Sequence, residues 1–187
     1  MRSAAHGIEA LRAALRDQGG LLSELADGPA NNWPLDPGPP QIAADGPRAA
    51  GREAEYELLL EMILEGSLLH YGDPRVVSTP DGDLALLLGD QLYALGLARL
   101  AALGDLAAVA ELADLISLLA QANAAADPDL GQAVWEAGAV AIGWGASDRH
   151  RAAKALARRH DAMASEALRA AARELVGDTL SGPVQLS

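Results

Sequence analysis

Two groups of charged residues are spaced closely enough in this sequence to act together. Glu53, Glu57, Glu61 and Glu65 recur every four residues, which places them along one side of a helix. A row of carboxylates is a candidate metal site, but bundles that hold two metal ions also need a Glu-x-x-His pair on a facing helix. No such pair is present. Like charges at i, i+4 more often mark a face turned to water, and that is the reading adopted. The second group is basic: Arg149, His150, Arg151, Lys154, Arg158, Arg159 and His160. It could hold a phosphate group or an acidic partner, against the plainer reading that these cations pair within an acidic protein. His6 and His70 stand apart, and a lone histidine at a helix end is more often structural than catalytic. A Gly-rich phosphate loop, His-Glu-x-x-His, a nucleophile elbow and a kinase signature are all missing.

The chain around these residues has 187 positions, a length suited to one domain with an appendage. Half of it is hydrophobic, mostly Ala, Leu and Val, while aromatics are 3% and Phe is absent. Such a composition favours close helix–helix packing and an all-α class. The net charge of −12 argues against nonspecific nucleic-acid binding and against an anionic membrane surface. Without cysteine there is no disulfide, thiol chemistry or Cys-type zinc site. The N-terminus carries Glu9 and Asp17 within a helical pattern, unlike a signal peptide, and no run is expected to span a membrane. The expectation is a cytoplasmic protein without a transmembrane segment.

The longest apolar stretch, Leu84 to Gln121, reads as two helices joined at Gly104-Asp105, a left-handed end followed by an N-cap. The first is apolar on most sides, which predicts burial at the centre of a bundle, at a subunit interface, or both. The second has a stripe of Leu106, Val109, Leu112, Ala113, Ile116, Leu119 and Ala120. The Gly89-Asp90 pair inside the first helix costs stability and asks for a reason. Before these helices, the sequence predicts an N-terminal helical segment over 1–26 with Ile8, Leu11 and Leu15 inward. A Pro/Gly-rich connector follows over 27–51, extended or disordered, with Trp33 pinning it to the body or anchoring a partner. A bundle domain covers 52–187. Its first helix, 52–70, turns Tyr56, Leu59, Leu60, Ile63, Ser67 and Leu68 inward. After a loop to Asp83 and the central pair, a small-residue helix covers 130–145. A last long helix runs from a cap at Ser147 or Asp148 to about Val176 and ends at Gly177.

One segment carries more. SLLHYGDPRVV followed by GDLALLLGDQLYALGLARLAALGD resembles the trans-polyprenyl diphosphate synthase family. Ser67, Leu68, Leu69 and His70 match the start of that family's first aspartate motif. Ala85 to Leu92 match the Gly-Asp pattern that opens its next helix. The match covers residues 54–121 best, about a third of the chain. The resemblance implies an antiparallel bundle of the isoprenoid-synthase type, in truncated form. It also implies pairing through 84–126, with Leu88, Leu92, Leu95, Leu100, Leu112 and Ile116 as interface candidates.

The departures set the functional expectation. The family's magnesium-binding aspartates fall on Tyr71, Gly72 and Arg75, and the second aspartate motif is absent, since 158–168 reads RRHDAMASEAL. Only Arg75 could stand for the paired arginines that cradle a diphosphate, and the Lys-Thr pair of a later helix becomes Gly131-Gln132. The resemblance therefore implies a non-catalytic subunit or regulatory paralogue of a polyprenyl diphosphate synthase in isoprenoid biosynthesis. It would form a homodimer, or a heterodimer with a catalytic chain, with no catalytic residue and no cofactor. Two alternatives stand beside it. One is an active prenyltransferase using Mg2+ on Asp73, Asp81, Asp83 and Asp90, of which Asp73 and Asp90 are the weak metal candidates. The other is a helical scaffold that binds an apolar ligand. An apolar or diphosphate ligand is compatible with either.

Overall fold

The computed structural model describes residues 3–26 and 37–177, and Trp33 lies outside them. Every regular element among the described residues is helical: α1 (Ala4–Gln18), α2 (Gly20–Glu24), α3 (Pro39–Ala44), α4 (Glu53–Tyr71), α5 (Gly82–Ala102), α6 (Leu106–Ala124), α7 (Pro128–Trp144), α8 (Asp148–Ala157) and α9 (Ala164–Val176). A single 3-10 turn lies at Pro47–Ala49. The fold is an all-α bundle.

Helix starts are set by side chains that accept from otherwise unpaired amides. Asp105 accepts from Ala108 N at 3.0 Å, Asp127 from Leu130 N at 3.0 Å, and Ser147 from His150 N at 3.1 Å. Gly104 (φ 75°) makes the left-handed turn expected between α5 and α6. Asp105 does more than cap. It also accepts from Tyr56 Oη at 2.6 Å and pairs with Arg48 at 2.5 Å, while Arg52 Nη1 donates to Leu103 O at 3.0 Å. The α5–α6 turn is thereby tied to the start of α4. Burial, then the hydrogen bond and charge of Asp105, push the Tyr56 hydroxyl up to about 12.

The central helices are α4 and α7, not α5. Every residue from 59 to 69 in α4 and from 137 to 143 in α7 is buried. Around α4 pack α5, α3 and α1; around α7 pack α6, α9 and α3. The larger core joins Leu59, Leu60 and Ile63 of α4 to Leu112, Leu115 and Leu119 of α6, Trp135 and Val140 of α7, and Leu168 of α9. A smaller one gathers Leu11, Leu15 and Leu22 with Met62, Leu69, Val76, Val77, Leu88 and Leu92.

Three expectations are corrected. Within the stretch 27–51, expected as an extended or disordered connector, residues 39–44 and 47–49 are helical, and α3 lies between α4 and α7 with Pro39, Pro40, Ala43 and Ala44 buried. Proline tolerates the first positions of a helix, where its missing N–H has no partner to lose, and Gln41 Oε1 accepts from Gly38 N at 2.9 Å. The last helix is two helices. His160 takes a left-handed conformation (φ 53°), Asp161 Oδ1 accepts from Met163 N, and α9 turns back onto α8 and α7. Finally, α6 buries Ala108, Leu112, Leu115, Leu118, Leu119 and Ala122, while Leu106 of the expected stripe is 73% exposed.

Candidate functional site

The matched motif residues meet at the crossing of α4 and α5. A Cβ on Gly89 would lie 2.6 Å from His70 Cδ2, one on Gly66 would lie 3.0 Å from Gly89 O, and one on Gly96 would lie 2.7 Å from Ile63 Cδ1. Gly89 and Gly96 share one face of α5, so the two backbones touch where a side chain would hold them apart. That is the reason for a glycine inside this apolar helix. His70 stacks on Tyr93, with centroids 5.3 Å apart and planes 2° from parallel, and Tyr71 is tilted 5.4 Å away. His70 Nε2 lies 3.2 Å from Asp90 Oδ1, close enough for charge attraction but outside hydrogen-bond geometry. Burial, then Tyr71 and Asp90, push the Tyr93 hydroxyl upward, and its oxygen is enclosed without a partner. The arrangement packs two helices and holds an exposed carboxylate beside a histidine.

The glutamate row overturns its solvated reading. Glu57, Glu61 and Glu65 are 2%, 0% and 0% exposed. Gln41 Nε2 donates to Glu57 Oε1 at 3.0 Å and to Glu61 Oε1 at 2.8 Å. Arg75, itself buried, donates from Nη2 to Glu61 Oε2 at 2.6 Å and from Nε to Glu65 Oε2 at 3.3 Å. Glu65 also accepts from the amides of Arg75, Val76 and Val77. Gly7 of α1 closes the cluster, because a Cβ there would stand 2.5 Å from Glu61 Oε1. Burial works to lower the Arg75 pKa, but the charges of Glu61 and Glu65 and their hydrogen bonds outweigh it and raise it. Arg75, the one candidate for a diphosphate arginine, is therefore fully engaged inside the chain.

Tyr71 and Gly72 offer no carboxylate, Asp73 is exposed on the loop, and Asp90 faces His70. Among the described residues no three His, Asp or Glu side chains are grouped to hold a metal ion.

His150 and Lys154 of the basic stretch are buried, while Arg149, Arg151, Arg158, Arg159 and His160 are exposed. Lys154 Nζ bridges Glu111 (2.7 Å) and Asp114 (2.7 Å), Arg158 pairs with Asp114 at 2.6 Å, and His150 Nε2 lies 3.0 Å from Glu111 Oε2. These contacts clamp α8 onto α6. Burial would raise the pKa of Glu111, yet the hydrogen bonds and charges of His150 and Lys154 bring it below the usual 4.5. Asp114 is lowered in the same way by Lys154 and Arg158. A depressed folded-state pKa stabilises above the unfolded value and is lost as pH falls through the folded one. The chain should therefore lose melting temperature as pH drops below about 4.5, and Lys154→Met should narrow the gap between pH 7 and pH 3. An unchanged gap in thermal unfolding would remove this cluster from the acid response.

The outer side of α5 and α6 is open. Leu86, Leu87 and Leu106 are 44%, 65% and 73% exposed, and Ala94, Ala98, Ala110 and Ala113 lie exposed along the same helices. Only 28% of the most apolar stretch of α5 and 33% of that of α6 are buried. Both helices are long and apolar enough, by length and composition alone, to cross a membrane, a test that core helices of soluble proteins also pass. Of the interface candidates, Leu88, Leu92, Leu100 and Leu112 sit in the chain's own core, and Leu95 and Ile116 are half-buried.

Set against known protein families, curated proteins and solved structures, the chain has no match.

Proposed function

We propose that this chain is a non-catalytic helical subunit that works by pairing, through the outer side of α5 and α6, with another helical chain. The partner is a second copy or a catalytic polyprenyl diphosphate synthase, and the bundle is of the isoprenoid-synthase type in truncated form. The carrying observation is the open apolar side of α5 and α6. Exposed apolar side chains on both helices motivate an interaction site, and Ala94, Ala98, Ala110 and Ala113 permit close approach of a second helix. The resemblance over 54–121 supplies the synthase as partner, and the absence of carboxylates at Tyr71, Gly72 and Arg75 supplies the non-catalytic role.

The test is the solution mass of the protein alone and mixed with a polyprenyl diphosphate synthase of the same organism. A dimer in either case is expected, and Leu87→Glu combined with Leu106→Glu should convert it to a monomer with little change in unfolding temperature, since both residues are exposed. A monomer in both samples, or a dimer indifferent to both substitutions, overturns the proposal.

A further inference from the structure

A cavity of about 350 Å3 lies between the C-terminal ends of α4 and α6 and the N-terminal end of α7. Its volume falls in the range of small-molecule sites, about 300–1,000 Å3. Leu68, Leu119, Ala122 and Trp135 line it and are themselves buried. Tyr71, Asn123 and Asp127 line it from exposed positions.

One feature shows that the space is not closed by the protein's own packing. Elsewhere in α7 a glycine presses against a neighbour, but a Cβ on Gly131 would meet nothing nearer than Ala122 Cβ at 3.9 Å.

Charge decides what fits. Among the described residues no lysine, arginine or histidine lines the cavity, and the charged residue there is Asp127, in a chain of net charge −12. A diphosphate or a carboxylate would meet repulsion and no counter-ion. Asp127 Oδ1 is already taken by Leu130 N, and Asn123 Nδ2 donates to Leu119 O, which leaves Asn123 Oδ1 and the second Asp127 oxygen to accept. We infer that this cavity binds an uncharged, mostly apolar small molecule carrying a hydroxyl group. Its apolar body would lie beside Gly131 against Tyr71, Ala126 and Pro128, and its hydroxyl near Asn123 and Asp127.

The probes are N-phenyl-1-naphthylamine, a neutral dye that brightens in apolar sites, with 1-decanol and decanoate as competitors against the full chain. Saturable dye binding at one site per chain is expected, with displacement by decanol at a concentration at least about tenfold below that needed for decanoate. Gly131→Leu, which fills the space, should weaken dye binding by about tenfold or more. Asn123→Trp, at the exposed mouth, does the same without touching the core and covers the case in which Gly131→Leu fails to fold. The Leu87→Glu, Leu106→Glu variant should bind dye as well as the parent does. Absence of saturable binding, equal binding by the folded Gly131→Leu and Asn123→Trp variants, loss of binding in the Leu87→Glu, Leu106→Glu variant, or preference for decanoate overturns the inference.

Discussion

Replacing Arg75 with methionine is expected to remove about 3–5 kcal/mol of folding stability, the range seen when one partner of a buried ion pair is deleted. The substitution keeps an unbranched apolar stem and removes the guanidinium that pairs with Glu61 at 2.6 Å and Glu65 at 3.3 Å. Those carboxylates are 0% exposed, so water does not replace the lost charge. Gln41 would still donate to Glu61, and the amides of Val76 and Val77 to Glu65, which shelters part of the negative charge and sets an upper bound on the loss. Urea unfolding at neutral pH measures it. A loss under about 1 kcal/mol would mean that the carboxylates take up protons or water at little cost, and that Arg75 is not what holds this loop. Restoring neutrality with Glu61→Gln and Glu65→Gln on the Arg75→Met background should recover part of the stability, because the penalty is for uncompensated charge rather than for a lost contact. The same experiment bears on function. If Arg75 is fixed by Glu61 and Glu65, it is not free to bind a diphosphate, and the non-catalytic reading gains a physical basis.

What the sequence made legible was local, and what it concealed was tertiary. Asp105 was readable as a cap, and of Ser147 and Asp148 it is Ser147 that caps; each accepts from an amide three residues on. Gly104 was readable because a left-handed turn favours glycine at little cost. The glutamate row was misread because i, i+4 spacing is the same whether a face meets water or a guanidinium. The partners that decide it, Gln41 and Arg75, stand 16 and 10 residues from the nearest carboxylate each contacts. A signal was present: Leu60 and Met62 flank Glu61, and Leu64 and Gly66 flank Glu65, so no polar neighbour widens the supposed wet face. The leucines of α5 predicted burial at the centre of a bundle, at an interface, or both; within the chain α4 takes the centre, its charges being paired. The break after α8 had no glycine or proline to announce it, because His160 supplies the left-handed residue itself. The cavity was invisible in principle, since it is made by the ends of three helices whose facing residues are far apart in sequence.

Gly143→Ala should destabilise the protein by about 1–3 kcal/mol, although glycine to alanine inside a helix usually gains about 1 kcal/mol. The sign reverses because of what lies opposite. A Cβ on Gly143 would run into the carbonyl of Ala43, and a Cβ on Gly46 would run into the backbone of Gly143 itself. Both obstacles are main chain, which cannot rotate aside as a side chain can, so α3 would have to lift away from α7. Gly131→Ala on the same helix is the internal control. Its Cβ has only Ala122 Cβ at 3.9 Å for company, so it should raise the melting temperature by the ordinary propensity gain. Thermal unfolding of the two variants side by side then separates packing from propensity, since the chemistry of the change is identical. If both stabilise, the contact between α3 and α7 yields easily, and 39–49 behaves as the loose connector its prolines first suggested. If Gly143→Ala falls while Gly131→Ala rises, that proline-rich stretch is a fixed layer of the bundle. Its displacement would also uncouple Gln41 from Glu57 and Glu61 and leave the central carboxylates short of a donor. Amide exchange across α3 and α4 would then speed up together in Gly143→Ala and not in Gly131→Ala, because one hydrogen-bonded cluster joins the two helices.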